Sequence, residues 1–344
     1  MTYEALSNAL SSMGWATRNY MPIGSLIVGM AYLVRRIMEN SSQVGVLTIM
    51  RSHKNKAVIK TPKSIHLEKK RLGEIIRDHG QQIISHDFAP VTPILMYKRN
   101  HLKEQVDAIK SQSYPVEEIF YWQNTVPGVS YDEDTYSELN SALSNYNYGV
   151  WARFTFALNA RTDYVCVLDD DTIPGTKWIE NCVNTYETHP GLLGGIGLRF
   201  KNSNYELDTT SDGKYWRCGW DCWSSGNNIV GNIEEPTQVD IVGHSWFFAR
   251  DLLSVFWREI PSREWTMLCG EDMHFSAMLQ KYTDLKTWVP PHPSSDKMMW
   301  SSLKAHQYGG DSLATAYINL QSGEMSKYLT HLCNNGFKLI CEND

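Results

Sequence analysis

The stretch Tyr164-Val-Cys-Val-Leu-Asp169-Asp170-Asp171-Thr-Ile-Pro174 decides how this chain is read. An apolar run with the length and branching of a buried strand leads directly into three consecutive carboxylates. Charge gathered in this way is costly unless a cation or hydrogen-bond donors compensate it. At the carboxyl end of a strand, such carboxylates can hold a divalent ion through oxygen ligands, and the ion in turn binds a diphosphate. Two other readings stay open on these residues alone. One is an acidic loop with no ligand. The other is phosphoaspartyl chemistry, in which Asp-x-Asp-x-Thr/Val follows an apolar strand, although position 173 is Ile and no matching lysine and acidic signature follows downstream. Asp132-x-Asp134 repeats the spacing with no apolar strand before it and is read as a decoy.

Working outward, the chain alternates strand and helix. Val91 to Tyr97 is a predicted strand and Leu102 to Gln112 has helical spacing. Pro115 to Asn124 supplies a turn and a second strand, and Gly149 to Asn159 is a helix leading into the Tyr164 strand. This alternation predicts an α/β fold with a mainly parallel sheet and crossover helices, with chemistry placed just beyond the strand ends. About 100 residues after the triple Asp, Leu268-Cys-Gly270-Glu271-Asp272-Met-His274-Phe reads as a turn entering a helix that runs to Tyr282. Acids in a first helical turn are favoured by the helix dipole, so capping alone explains them. As chemistry, a carboxylate facing the metal site could deprotonate an acceptor hydroxyl.

These segments, in this order, resemble the GT-A glycosyltransferases of the family 2 type over roughly residues 90–320. Pro93 to Arg99 is similar to the family's first strand and nucleotide-binding turn, and Phe120 to Asn124 to its second strand. Asn147 to Arg153 is similar to the loop-helix before the metal motif, and Asp169-Asp170-Asp171 to the Asp-x-Asp motif. Val239 to Arg250, then Glu271-Asp272, resembles the acceptor loop and the catalytic-acid helix. The resemblance implies a Rossmann-like GT-A sheet flanked by helices, Mn²⁺ or Mg²⁺ as cofactor, and a nucleotide-diphosphate sugar as donor. It implies Asp171 as principal metal ligand and Asp169 on the metal or the ribose. Asp170, Tyr97, Arg99 and Arg153 would line the nucleotide, and Asn124 would lie near its base. Asp272, beside Glu271 and kept ionised by the helix N-terminus, would be the general base if this hexosyl- or pentosyltransferase inverts stereochemistry; retaining members carry a similar acid in that place, and the sequence leaves both open. A late histidine would complete the metal set, His306 ahead of His292. The expected acceptor is a glycan or a lipid-linked saccharide.

Around this core the division expected is an accessory domain over 1–88, the catalytic domain over 89–309 and a helical tail over 310–344 that closes on the site. The accessory region carries no catalytic motif, but residues 51–77 hold nine Lys/Arg against two acids in a chain whose net charge is −6. A basic patch on an acidic body attracts phosphates, which keeps a phosphate-rich acceptor such as modified DNA among the alternatives. A nucleotidyltransferase of related fold and an inactive glycan-binding module are the others. Trp216, Trp220 and Trp223 stand within eight residues and suit either sugar stacking or packing. Composition, with 42% hydrophobic and 20% charged residues, excludes a wholly disordered or collagen-like chain. The longest apolar stretch, Met21 to Val34, is broken by Pro22, Gly24 and Ser25 and falls short of the ~20 residues that span a bilayer. Seven cysteines, an odd number, with no secretory leader point to reduced thiols and a cytoplasmic location; Cys218 and Cys222 lack a second pair at zinc spacing.

Overall fold

The computed structural model describes residues 91–96, 101–125, 139–219, 228–261, 265, 267–308 and 321–342. Contacts divide the chain into two units, 1–64 and 65–344, and every described residue belongs to the second. The expectations for residues 1–88, including the basic segment 51–77, lie outside the described residues. So do Tyr97, Arg99, Asp132, Asp134, Trp220, Cys222 and Trp223.

In chain order the strands are β1 (Val91–Met96), β2 (Glu118–Gln123), β3 (Asn140–Leu143), β4 (Tyr164–Leu168), β5 (Gly191–Leu198), β6 (Phe200–Asn202) and β7 (Glu206–Leu207). Then come β8 (Tyr215–Gly219), β9 (Ile229–Gly231), β10 (Thr237–Gln238), β11 (Ile241–Ala249) and β12 (Lys286–Val289). The helices are α1 (Leu102–Lys110), α2 (Ala152–Phe156), α3 (Trp178–Thr188), α4 (Leu253–Phe256), α5 (Glu271–Tyr282), α6 (Ala305–Tyr308) and α7 (Glu324–Asn334). Ten strands form one sheet, in the order β10-β12-β5-β11-β4-β1-β2-β3 with β8 and β9 branching from β5; β6 and β7 form a separate hairpin. β3, β2, β1 and β4 are mutually parallel, as the strand–helix alternation predicts. The interruption is β11, which lies antiparallel between β4 and β5.

β4 is the centre of the sheet, and all five of its residues are buried. Its alternation sends Tyr164, Cys166 and Leu168 into a core with α1 and α3, where Leu102, Val106, Ile109, Trp178, Ile179 and Cys182 meet them. The i, i+4, i+7 spacing of Leu102, Val106 and Ile109 is why α1 forms and which face it buries. Phe154 of α2, Phe256 of α4 and Phe275 of α5 pack on the opposite face, against Trp246 and Phe248 of β11. The sheet is therefore covered on both sides, and its exposed chemistry is confined to the strand ends. Among the described residues no helix is long and apolar enough to cross a membrane.

Asp240, at the entrance to β11, ties three distant pieces together. Its buried carboxylate accepts from Phe200 N–H at 2.7 Å and from Ile340 N–H at 2.8 Å. Burial outweighs these two donors and pushes its carboxyl up to about 6. A raised acid binds its proton more tightly in the folded state. Its contribution to stability is complete below the unfolded value near 4 and is lost as pH rises through about 6. Urea unfolding at pH steps from 4 to 7 should show this loss, of order 2 kcal/mol, and Asp240→Asn should flatten it.

Candidate functional site

The Asp169–Asp171 turn is fastened by its backbone before any side chain is considered. Gln105, buried on α1, donates from Nε2 to the carbonyls of Asp169 at 2.6 Å and Thr172 at 2.9 Å. Ile173 N–H donates to Ser302 Oγ at 3.1 Å, and Leu303 N–H donates to the Ile173 carbonyl at 2.8 Å. With its main chain held from both flanks, the turn presents three carboxylates at fixed positions.

β11 supplies what faces them. Between Gly243 and Trp246 its register against β5 slips by one residue, a bulge, and His244 adopts φ 63°. Left-handed backbone is uncommon outside glycine, although histidine is among the residues that tolerate it. The strain has an immediate return: the His244 carbonyl accepts from Asp169 N–H and from Thr172 Oγ1, each at 3.0 Å. His244 Nδ1 then lies 3.7 Å from a carboxylate oxygen of both Asp169 and Asp171. One ligand atom from each of these three residues falls within 4.8 Å of the other two. Two carboxylates and an imidazole form a donor set that suits a divalent ion such as Mn²⁺ or Mg²⁺.

Arg153 joins this cluster to the second acidic motif. It is buried on α2, donates from one guanidinium nitrogen to Asp169 Oδ1 and from the other to Glu271 Oε1 at 2.6 Å, and lies 4.3 Å above the Trp246 ring. Burial favours loss of its proton, but the charges of Asp169 and Glu271 more than offset this and keep it cationic. Glu271 and Asp272 open α5 after Gly270, whose φ of 91° forms the turn; a Cβ there would meet the Tyr328 ring at 2.7 Å. Asp272 Oδ1 accepts from Met273 N–H at 2.7 Å. The sequence expects the helix end to keep Asp272 ionised, yet burial works the other way and raises the carboxyls of both Glu271 and Asp272; Arg153 opposes the shift. A base moved upward from the ordinary carboxylate range is better matched to proton transfer near neutral pH. Arg153 brings one positive charge to Asp169 and Glu271, and a divalent ion would bring the charge of the carboxylate group closer to balance.

The loop before α2 sets the Arg153 position. Asn124 is fully buried; its Oδ1 accepts from Trp122 Nε1 and Tyr148 N–H, and its Nδ2 donates to the Gly149 carbonyl. Its amide thus anchors the 147–149 loop. Gly149 has φ 67°, and a Cβ there would stand 1.8 Å from the Met267 carbonyl oxygen, beside the bond from Val150 N–H to that oxygen. Gly149→Ala is expected to cost about 2–3 kcal/mol, measured by urea unfolding, and to spread the Arg153–Glu271 bridge so that turnover falls further than stability alone explains.

Of the two histidines expected to complete a metal set, His292 serves the fold. It is fully buried, its ring nitrogens face the Pro290 carbonyl and Ser301 Oγ, and burial pushes it down to about 4. His306 lies in α6 by its backbone, and its side chain is outside the described residues. The histidine that meets the two aspartates is His244, which sequence reasoning passed over. Asp170 is half-buried in the turn and does not join the three-residue cluster. Trp216 carries the Arg199 guanidinium 3.7 Å above its ring.

Residues 144–256 match the family model for glycosyl transferase family 2, about a third of the chain, and this stretch contains α2, the Asp turn and the β11 bulge. Residues 3–48 match the model for proline dehydrogenase and lie outside the described residues. No curated protein matches the chain. Among solved structures, TarS of S. aureus is 14% identical with a TM-score of 0.38, over 59% of this chain and 36% of TarS, so the chain spans little more than a third of that protein. A mannosyltransferase from Pyrobaculum calidifontis, solved with GDP-Man and Mn²⁺, is 14% identical with a TM-score of 0.33, over 81% of this chain and 88% of its own. A 4-diphosphocytidyl-2C-methyl-D-erythritol synthase from Anaerococcus prevotii is 10% identical with a TM-score of 0.36, over 67% and 99%. Over residues 144–256 the chain is thus similar to glycosyl transferase family 2; that match takes in α2, the Asp turn and the β11 bulge and ends before α5, which carries Glu271 and Asp272.

Proposed function

We propose that the chain is a divalent-metal-dependent, inverting glycosyltransferase that moves a sugar from a nucleotide-diphosphate donor to an acceptor hydroxyl. The observation that carries this reading is the continuous network in which Asp169 and Asp171 meet His244 while Arg153 links Asp169 to Glu271 beside Asp272. Asp169, Asp171 and His244 would hold the ion, which when bound neutralises charge growing on the departing diphosphate. The chain's own residues do the rest. Arg153 occupies one oxygen of Asp169 and turns the other toward His244. Asp272 takes the proton of the attacking hydroxyl as that oxygen bonds to the anomeric carbon and the carbon–diphosphate bond breaks. The two carboxylate groups are thereby divided between leaving group and nucleophile, and Arg153 fixes their separation.

The acceptor in this reading is a glycan or lipid-linked saccharide, and residues 89–309 are the catalytic domain in a cytoplasmic protein. The experiment is release of nucleoside diphosphate from a panel of sugar nucleotides, with Mn²⁺ and with EDTA. Metal-dependent release from one donor is the expected result. Pyrophosphate release instead would identify a nucleotidyltransferase, and donor binding without release of either product would identify a binding module. Steep loss of acceptor binding with salt would move the acceptor to the phosphate-rich class.

A further inference from the structure

α5 carries Asp272 in its first turn, and that turn starts without a side-chain cap. The residue before it is Gly270, in left-handed backbone at φ 91°. Glycine has no side chain to bond the free N–H groups of the turn, as Ser, Thr, Asp or Asn does at a capped helix start. Within α5 the turn is closed by the bond from His274 N–H to the Gly270 carbonyl at 2.9 Å. Glu271 and Asp272 lie between those two residues, so whatever fixes Gly270 and His274 also fixes the acids.

Tyr328 of α7 meets both. Its ring occupies the space that a side chain on Gly270 would need: a Cβ there would lie 2.7 Å from two ring carbons. Its hydroxyl stands 3.4 Å from His274 Nδ1, one helical turn further on. The direction of that bond follows from the other ring nitrogen. His274 Nε2 lies 2.9 Å from the Phe256 carbonyl, which only accepts, so Nε2 carries the proton and Nδ1 is left to accept from the phenol. Burial pushes this imidazole down to about 4, so it is neutral and the arrangement stands at neutral pH. The His274 ring lies edge-on to Trp151, centroids 5.2 Å apart, where α2 begins. α2 carries Arg153, whose bond to Glu271 requires α2 and α5 to keep their separation. Close packing does not surround the phenol. It borders a cavity of about 90 Å³ that it shares with Trp265, His331, Leu332 and Phe337. A ring with a void beside it has no partner atoms there, so its bond to His274 helps decide whether it stays against Gly270.

We propose that Tyr328 is a positioning residue for the base: through Gly270 and His274 it sets the first turn of α5, and with it Asp272. The inference rests on the glycosyltransferase reading and adds to it a residue of α7, outside the stretch that matches the family model. Tyr328 is 3% exposed, so it acts through α5 rather than on the substrates.

The test compares wild type with Tyr328→Phe, which keeps the ring, and Tyr328→Leu, which loses it. The probes are a panel of sugar nucleotides with Mn²⁺, with water or added glycerol as the nucleophile. Displacement of a base by about an ångström is enough to lower kcat about a hundredfold, the result expected for Tyr328→Leu. Tyr328→Phe should recover most of this and stand about fivefold below wild type. Donor KM and calorimetric Mn²⁺ affinity should stay within twofold in both, whereas general damage to the fold would move them along with kcat. Unchanged kcat in Tyr328→Phe, or kcat falling together with donor and Mn²⁺ affinity, overturns the proposal; the Phe variant decides even if Tyr328→Leu does not fold. Hydrogen exchange gives a second reading that needs no donor. In Tyr328→Phe the His274 amide should exchange about fivefold faster, while the amides from Leu279 to Tyr282 keep the wild-type rate. Equal exchange at His274 in the two proteins would show that Tyr328 does not hold the turn and would overturn the assignment. Absence of product from wild type with every donor would instead count against the glycosyltransferase reading, and the exchange result would still stand.

Discussion

Alanine at position 171 is expected to reduce metal-dependent release of nucleoside diphosphate by about a thousandfold while leaving the protein folded. Asp171 is 4% exposed, and with Asp169 and His244 it places ligand atoms within 4.8 Å of one another. Removing one carboxylate from a three-residue donor set weakens the ion and, with it, the stabilisation of charge on the leaving group, which is worth several kcal/mol. Heat unfolding of the ion-free Asp171→Ala protein separates lost turnover from lost structure. Mn²⁺ affinity by calorimetry and product release by chromatography measure the two halves. Unaltered Mn²⁺ affinity together with unaltered turnover would sink the metal assignment.

Arg153→Met should act on stability as strongly as on turnover. The guanidinium is 1% exposed and bonded to Asp169 and Glu271, so its loss strips the buried Glu271 and the half-buried Asp169 of their shared cation. Breaking a buried pair in this way costs about 3–5 kcal/mol, and Tm should drop on the order of 10 °C. Pairing it with Glu271→Leu removes the stranded acid and should recover much of the stability, while turnover stays low because Asp169 is no longer held. Equal stability of Arg153→Met and wild type would show that the bridge does not hold the site together.

The same network shows what a sequence discloses. The strand Tyr164–Leu168 was legible to the residue, because an apolar β-branched run ending in acids has few other structures open to it. α1 was legible from its periodicity, and the turn into α5 from glycine followed by acids. The antiparallel course of β11 was not, since direction depends on which neighbours a strand finds rather than on its own composition. His244 falls within the Val239 to Arg250 segment that resembles an acceptor loop, and the sequence assigns it no role of its own. Nothing in Gly243-His-Ser-Trp246 announces a bulge, and the metal set was therefore completed with His306 or His292. Asn124 illustrates a further limit: a polar residue at a strand end can serve a ligand or its own backbone, and only the partners of its amide show that it anchors Gly149. The β6–β7 hairpin was equally hidden, because strands this short leave no periodicity to read.

The bulge in β11 also bears on how such a protein could change over generations. Against β5, Gly243 to Trp246 spans one residue more than Ile196 to Gly194. A three-base in-frame deletion that removed His244 or Ser245 would return the ladder to regular pairing, with Trp246 and Phe248 still able to pack against Phe154 and Phe275. Such an event would delete the imidazole or re-aim it in a single step without opening the core. Descendants of this chain thus lie one small deletion from a folded protein that keeps its sheet and has lost the meeting of His244 with the two aspartates, and one insertion from regaining it.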